Sequence, residues 1–181
     1  DTSFEGQAAM ALQDAAERGL FSLGVTSFGR GREMSEKGLV EKAGEAVVAT
    51  GVSPFRLQDH GGLLELDWQS LLESIAAAAW DGVDREKLAL AFHFRLIEVI
   101  FHLCQTLKCH SLLVSGGCFQ NQLLRQLLAQ EADHQKMPLY QSRLVPAGDG
   151  GIALGQLWLT AKSIQGSIRA ETFFEQIDPQ T

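Results

Sequence analysis

Val114-Ser115-Gly116-Gly117-Cys118-Phe119-Gln120-Asn121 leads from an apolar strand signal through two adjacent glycines directly into a helix-forming run. The strand signal is Ser111 to Ser115, and the helix signal runs from Phe119 to Glu131. Leu139 to Leu144 then reads as a second strand and Gly150 to Lys162 as a final helix, so residues 111–163 predict a β-α-β-α unit of an α/β fold. Two strands cannot bury both faces of a parallel sheet, which implies that the remaining strands come from outside this chain.

Glycines after a strand let backbone come close to a ligand, and the free N–H groups of a following helix favour an anion or a polar nucleotide group. The same pair could equally serve a tight strand-to-helix turn, and the spacing leaves both readings open. The second signal is Pro146-Ala147-Gly148-Asp149-Gly150-Gly151, in which one carboxylate stands among glycines at the start of an apolar helix. An aspartate there can cap the helix. Small neighbours also leave room for a metal or ligand, which a hard oxygen donor suits.

Upstream, residues 5–16 are rich in helix formers, have Ser3 available as a cap and meet a closing Gly19. Glycines interrupt residues 20–53, which predicts a looped excursion with at most one short helix near 39–48. Leu63 to Leu66 could form a short strand, and Trp68 to Trp80 reads as a helix. Arg85 to Lys108 is the longest helical candidate, apolar nearly all round and so expected at the centre of something larger.

The 181 residues, 45% hydrophobic and 20% charged, have the balance of a single globular core. A net charge of −7 argues against affinity for a nucleic-acid backbone, though not against a bound nucleotide. No uncharged apolar run reaches the length of a membrane span, and Asp1 to Glu5 lacks the character of a signal peptide, so a cytoplasmic, non-membrane protein is expected. The three cysteines show no CxxC spacing and predict free thiols.

SGGCFQNQLL at 115–124 and VPAGDGGIALGQ at 145–156, in that order, resemble the paired signature of the carbamoyltransferase domain of HypF hydrogenase maturation proteins, in its C-terminal half. FEGQAAMAL at 4–12, GLLELDW at 62–68 and AFHFRL at 91–96 agree in order; residues 20–53 match poorly. The resemblance implies that residues 1–181 are one half of an actin/Hsp70/sugar-kinase-like domain, with a mixed sheet and packed helices. It also implies transfer of a carbamoyl group from carbamoyl-adenylate, made from ATP upstream, to the C-terminal cysteine of HypE. The isolated chain is then expected to be inactive, with HypE and the remaining HypF domains as partners.

Position by position, the resemblance puts Gly116, Gly117 and Asn121 against the nucleotide and Glu5 on the ribose hydroxyls. Asp149 becomes a ligand to a divalent metal, iron or zinc, and the residue on which catalysis rests. Its partner ligands are a histidine pair spaced H-x-x-x-H, and among His60, His93, His102, His110 and His134 no two have that spacing, so they belong outside this chain. Gly148 stands where many relatives have Asn, and Cys118 where a small aliphatic residue is usual. His93, among apolar neighbours, reads as a satisfied core histidine in preference to a phosphate contact. The rival readings are an O-carbamoyltransferase or tRNA threonylcarbamoyltransferase relative, and a non-catalytic module that binds nucleotide or a partner.

Overall fold

A computed structural model describes residues 7–25, 38–142 and 144–165; Glu5 and the middle of the 20–53 stretch lie outside the described residues. Two helices open the chain, α1 (Gln7–Ser22) and α2 (Leu39–Thr50), followed by the strands β1 (Arg56–Asp59) and β2 (Leu64–Asp67). Helices α3 (Gln69–Trp80) and α4 (Arg85–Thr106) lead to β3 (Leu112–Val114), α5 (Gln122–His134), β4 (Leu139–Gln141) and α6 (Ile152–Gln165). Short 3₁₀ turns at Gly117–Gln120 and Asp149–Gly151 precede α5 and α6. This is an α/β arrangement with packed helices and two small sheets among the described residues.

The all-round apolar character of α4 has a direct cause, since the helix faces two cores. Ala89, Leu90, Ile97 and Phe101 join Ala16 and Leu20 of α1, Ala43 of α2 and Leu123, Leu127 and Leu128 of α5. Leu88, Ala91 and Val99 face the other way, toward Val47, Val52, Phe55, Leu71 and Ala78. By length and composition α4 could cross a membrane, yet half of its most apolar stretch is buried within this fold.

Sequence reasoning closes α1 at Gly19, but the helix continues to Ser22. Gly19 is needed for a different reason: a Cβ there would lie 2.6 Å from the Glu86 carbonyl oxygen, so only glycine lets α1 approach the start of α4 this closely. The real terminator is Gly24 (φ 87°), with the Val25 N–H donating to the Leu20 carbonyl at 3.1 Å. That bond belongs to a Schellman motif. Helices α4 and α5 end the same way with lysine in the left-handed position, Lys108 and Lys136, each at φ 54°. The closing bonds there run from Cys109 N–H to Cys104 O and from Met137 N–H to Ala132 O, both 2.8 Å.

Strands β1 and β2 pair antiparallel, Arg56 against Asp67 through Asp59 against Leu64. Strands β3 and β4 pair parallel, Leu112 against Leu139 and Val114 against Gln141. The order β3-α5-β4-α6 brings both glycine-rich loops to the C-terminal edge of this parallel pair, where α/β sheets bind ligands. Helix α6 stands apart: Ile152, Leu154, Leu157 and Leu159 are all exposed.

Candidate functional site

The two loops interlock. Gly116, at φ 102° and ψ 163°, takes a conformation open essentially to glycine alone. It turns the chain so that its N–H donates to the Ala147 carbonyl at 2.6 Å, and the Ser115 hydroxyl reaches the same oxygen at 3.3 Å. Gly148 lies over this turn, where a Cβ would come within 3.1 Å of Gln120 Nε2 and 3.5 Å of Gly117 Cα. An asparagine at 148 would have to displace that side chain. Gly117 is open, with nothing within 4 Å of a notional Cβ. Asp149 follows directly on the contact, so the structure brings Gly116, Gly117 and Asp149 together from strings far apart in sequence.

Asn121 caps α5. Its Oδ1 accepts from the Leu124 N–H at 2.9 Å, and its amide nitrogen lies 2.8 Å from His93 Nε2. The other ring nitrogen of His93, Nδ1, is 2.8 Å from the Ala89 carbonyl. Burial pushes the His93 pKa down, partly opposed by the Ala89 bond, so the ring is held neutral. Both nitrogens are therefore satisfied inside the protein, and the second amide hydrogen of Asn121 has no partner among the described residues.

A cavity of about 450 Å³ opens between the loops, lined among others by Phe119, Gln120, Arg125, Gln141, Val145 and Ala147. Arg125 donates from Nε to Gln141 Oε1 at 3.2 Å and is the charged side chain of that lining among the described residues. Sequence reasoning passed over Arg125; its signal is its place one helical turn after Asn121. A slightly larger cavity, about 480 Å³, lies elsewhere on α4 and α5 near Phe55, Arg95 and Glu131 and touches neither glycine loop.

Asp149 is exposed, opens its 3₁₀ turn, and makes no capping bond or ion pair among the described residues. Its carboxylate is consequently available as an oxygen donor, which fits one ligand position on a hard divalent ion. Among the described residues no three His, Cys, Asp or Glu side chains converge. Any metal held at Asp149 needs its further ligands from beyond them. Glu5 lies outside the described residues. Cys104, Cys109 and Cys118 are free thiols.

Residues 1–156 match the family described as "Carbamoyltransferase, Kae1-like Domain, second subdomain". The chain is 29% identical over 164 residues to the carbamoyltransferase HypF2 of Cupriavidus necator, covering 87% of this chain and 19% of that protein. It is 30% identical over 146 residues to the carbamoyltransferase HypF of Synechocystis sp., covering 76% of this chain and 18% of that protein. The chain thus spans about a fifth of the length of these two relatives. A crystal structure of full-length HypF in the phosphate- and nucleotide-bound form superposes with a TM-score of 0.65 at 21% identity, over 92% of this chain and 22% of that one, a likeness of fold.

Proposed function

The chain belongs to the HypF carbamoyltransferase family as the second subdomain of a Kae1-like domain, and from that premise we propose that it contributes a nucleotide-binding turn and one metal ligand to a carbamoyl-transfer site. The donor is carbamoyl-adenylate, made from carbamoyl phosphate and ATP by preceding domains, and the acceptor is the C-terminal cysteine thiol of a HypE-type protein. In the transfer a carbon–sulfur bond forms, the bond from the carbamoyl carbon to the phosphate oxygen breaks, the thiol gives up its proton and AMP leaves. The acceptor brings the nucleophile, so none is required of this chain.

The observation that carries this reading is the shared Ala147 carbonyl, which locks the Gly116–Gly117 turn to the loop of Asp149. Backbone at the open face of Gly117 can approach the nucleotide without steric cost. The guanidinium of Arg125 gives the adjoining cavity a cation suited to phosphate. Glu5 is assigned to the ribose, since a carboxylate accepts two hydroxyl bonds. A divalent ion, iron or zinc, held by Asp149 and by histidines of the rest of the domain, would supply polarisation of the carbamoyl or phosphate oxygen. The full-length HypF of like fold was crystallised in a phosphate- and nucleotide-bound form, which agrees with this assignment.

The test is Asp149→Asn in the intact protein. Asparagine caps as well as aspartate, so a structural role leaves metal content and transfer unchanged. A ligand role predicts reduced metal content and transfer lowered by about 10²-fold or more, with the melting temperature within a few degrees of wild type. Full metal occupancy together with a full transfer rate would sink the assignment of this loop.

A further inference from the structure

We propose that His93 is a positioning residue for the Gly116–Gly117 turn, acting through the side chain of Asn121. The assignment follows from which atoms can donate. The Ala89 carbonyl can only accept, so the 2.8 Å contact from His93 Nδ1 puts the ring proton on that nitrogen. Nε2 then carries a bare lone pair, and the group 2.8 Å from it must be the amide N–H of Asn121. This choice fixes the amide orientation, which points Oδ1 at the Leu124 N–H at 2.9 Å and sets the cap of α5.

The same residue closes the preceding turn. The Asn121 N–H donates to the Cys118 carbonyl at 3.2 Å, and the Phe119 N–H to the Gly116 carbonyl at 3.1 Å. His93, Asn121 and the 3₁₀ turn that starts at Gly117 therefore form one hydrogen-bonded chain from the core helix α4 to the candidate nucleotide surface. Packing alone does not call for a histidine here. With 2% of its surface exposed, an imidazole costs desolvation that an apolar ring of similar size would not, unless its bonds are used. Without an acceptor at Nε2, the amide N–H of Asn121 loses its partner on α4, and the side chain is held by the Leu124 N–H alone.

The bond network is independent of any ligand, whereas its bearing on AMP rests on the carbamoyl-adenylate reading above. Two measurements on the intact protein separate them: hydrogen exchange of the Phe119, Asn121 and Leu124 amides, whose bonds belong to the network, and calorimetric titration with AMP. In His93→Phe, exchange at these amides is expected to rise about 5- to 10-fold and AMP affinity to fall about 10-fold. His93→Gln, whose side-chain oxygen restores an acceptor, should return both to within about threefold of wild type. Asn121→Ser keeps a capping oxygen, but its shorter hydroxyl cannot span to His93 as the two-ended amide does, so Leu124 should stay protected while the turn amides exchange faster. Unchanged exchange across the turn in Asn121→Ser and in folded His93→Phe overturns the proposal, whatever AMP does. Faster exchange in a protein whose wild type binds no AMP upholds the positioning role and refutes the nucleotide reading.

Discussion

Replacing a helical glycine by alanine should have opposite signs at two places in this chain, and the sign is set by what the new methyl meets. Gly44 lies within α2, and a Cβ there would sit 3.6 Å from Phe94 Cζ, an ordinary contact. Gly44→Ala should accordingly gain helix propensity and little else, about 0.5–1 kcal/mol of stability. At Gly19 the same gain of about 1 kcal/mol is available. However, the Cβ would stand 2.6 Å from the Glu86 carbonyl oxygen and 3.0 Å from its carbon, both backbone atoms on the first turn of α4. They cannot rotate away, so α1 and α4 must part by several tenths of an ångström along a shared core. Overpacking of this kind costs up to about 3 kcal/mol, leaving Gly19→Ala destabilised by about 1–2 kcal/mol. Urea denaturation gives the free energies, and a thermal melt should place Gly19→Ala about 3–6 °C below wild type and Gly44→Ala slightly above it. If Gly19→Ala proved as stable as Gly44→Ala, the close crossing of α1 and α4 would not be a determinant of the fold.

Lys108→Gly and Lys136→Gly should each stabilise the chain by about 0.5–1 kcal/mol, because relief of about 1–2 kcal/mol of left-handed strain exceeds the added freedom of the unfolded glycine; unchanged urea midpoints would refute this. Acid should also weaken the fold through His93. Its folded pKa is depressed below the ordinary 6.5, so the unfolded chain takes up the proton more readily, and the stability it contributes is present above that value and lost as pH falls below it. The slope should reach up to about 1.4 kcal/mol per pH unit and be missing from His93→Gln, as compared by denaturation at pH 7.5 and pH 5.

What the sequence revealed and withheld follows from the range of each signal. The helix from Arg85 and the strand–glycine–helix order around 112–134 are written in local periodicity, and the structure has them with shifts of only a few residues. Helix α5 begins at Gln122 instead of Phe119 because the glycine turn first winds as a 3₁₀ segment and Asn121 is the cap. Strand β1 escaped notice because Arg-Leu-Gln-Asp has one apolar residue, and its identity as a strand comes from pairing with β2. Gly19 looks like a terminator until the distant Glu86 is placed beside it. The bond between His93 and Asn121 joins residues 28 apart on different elements, and no local pattern encodes it. Asp149 and the glycines were legible as candidates; that their loops share a carbonyl was not.

That shared carbonyl has a thermodynamic corollary. Ala147 O receives both Gly116 N–H and the Ser115 hydroxyl, so neither loop can rearrange without altering the bonding of the other. Occupation of one loop that tightens or loosens this junction changes affinity at the other by some factor, and linkage obliges the second ligand to change affinity for the first by the same factor. The two loops thus meet at a single peptide oxygen, through which a rearrangement of either reaches the other.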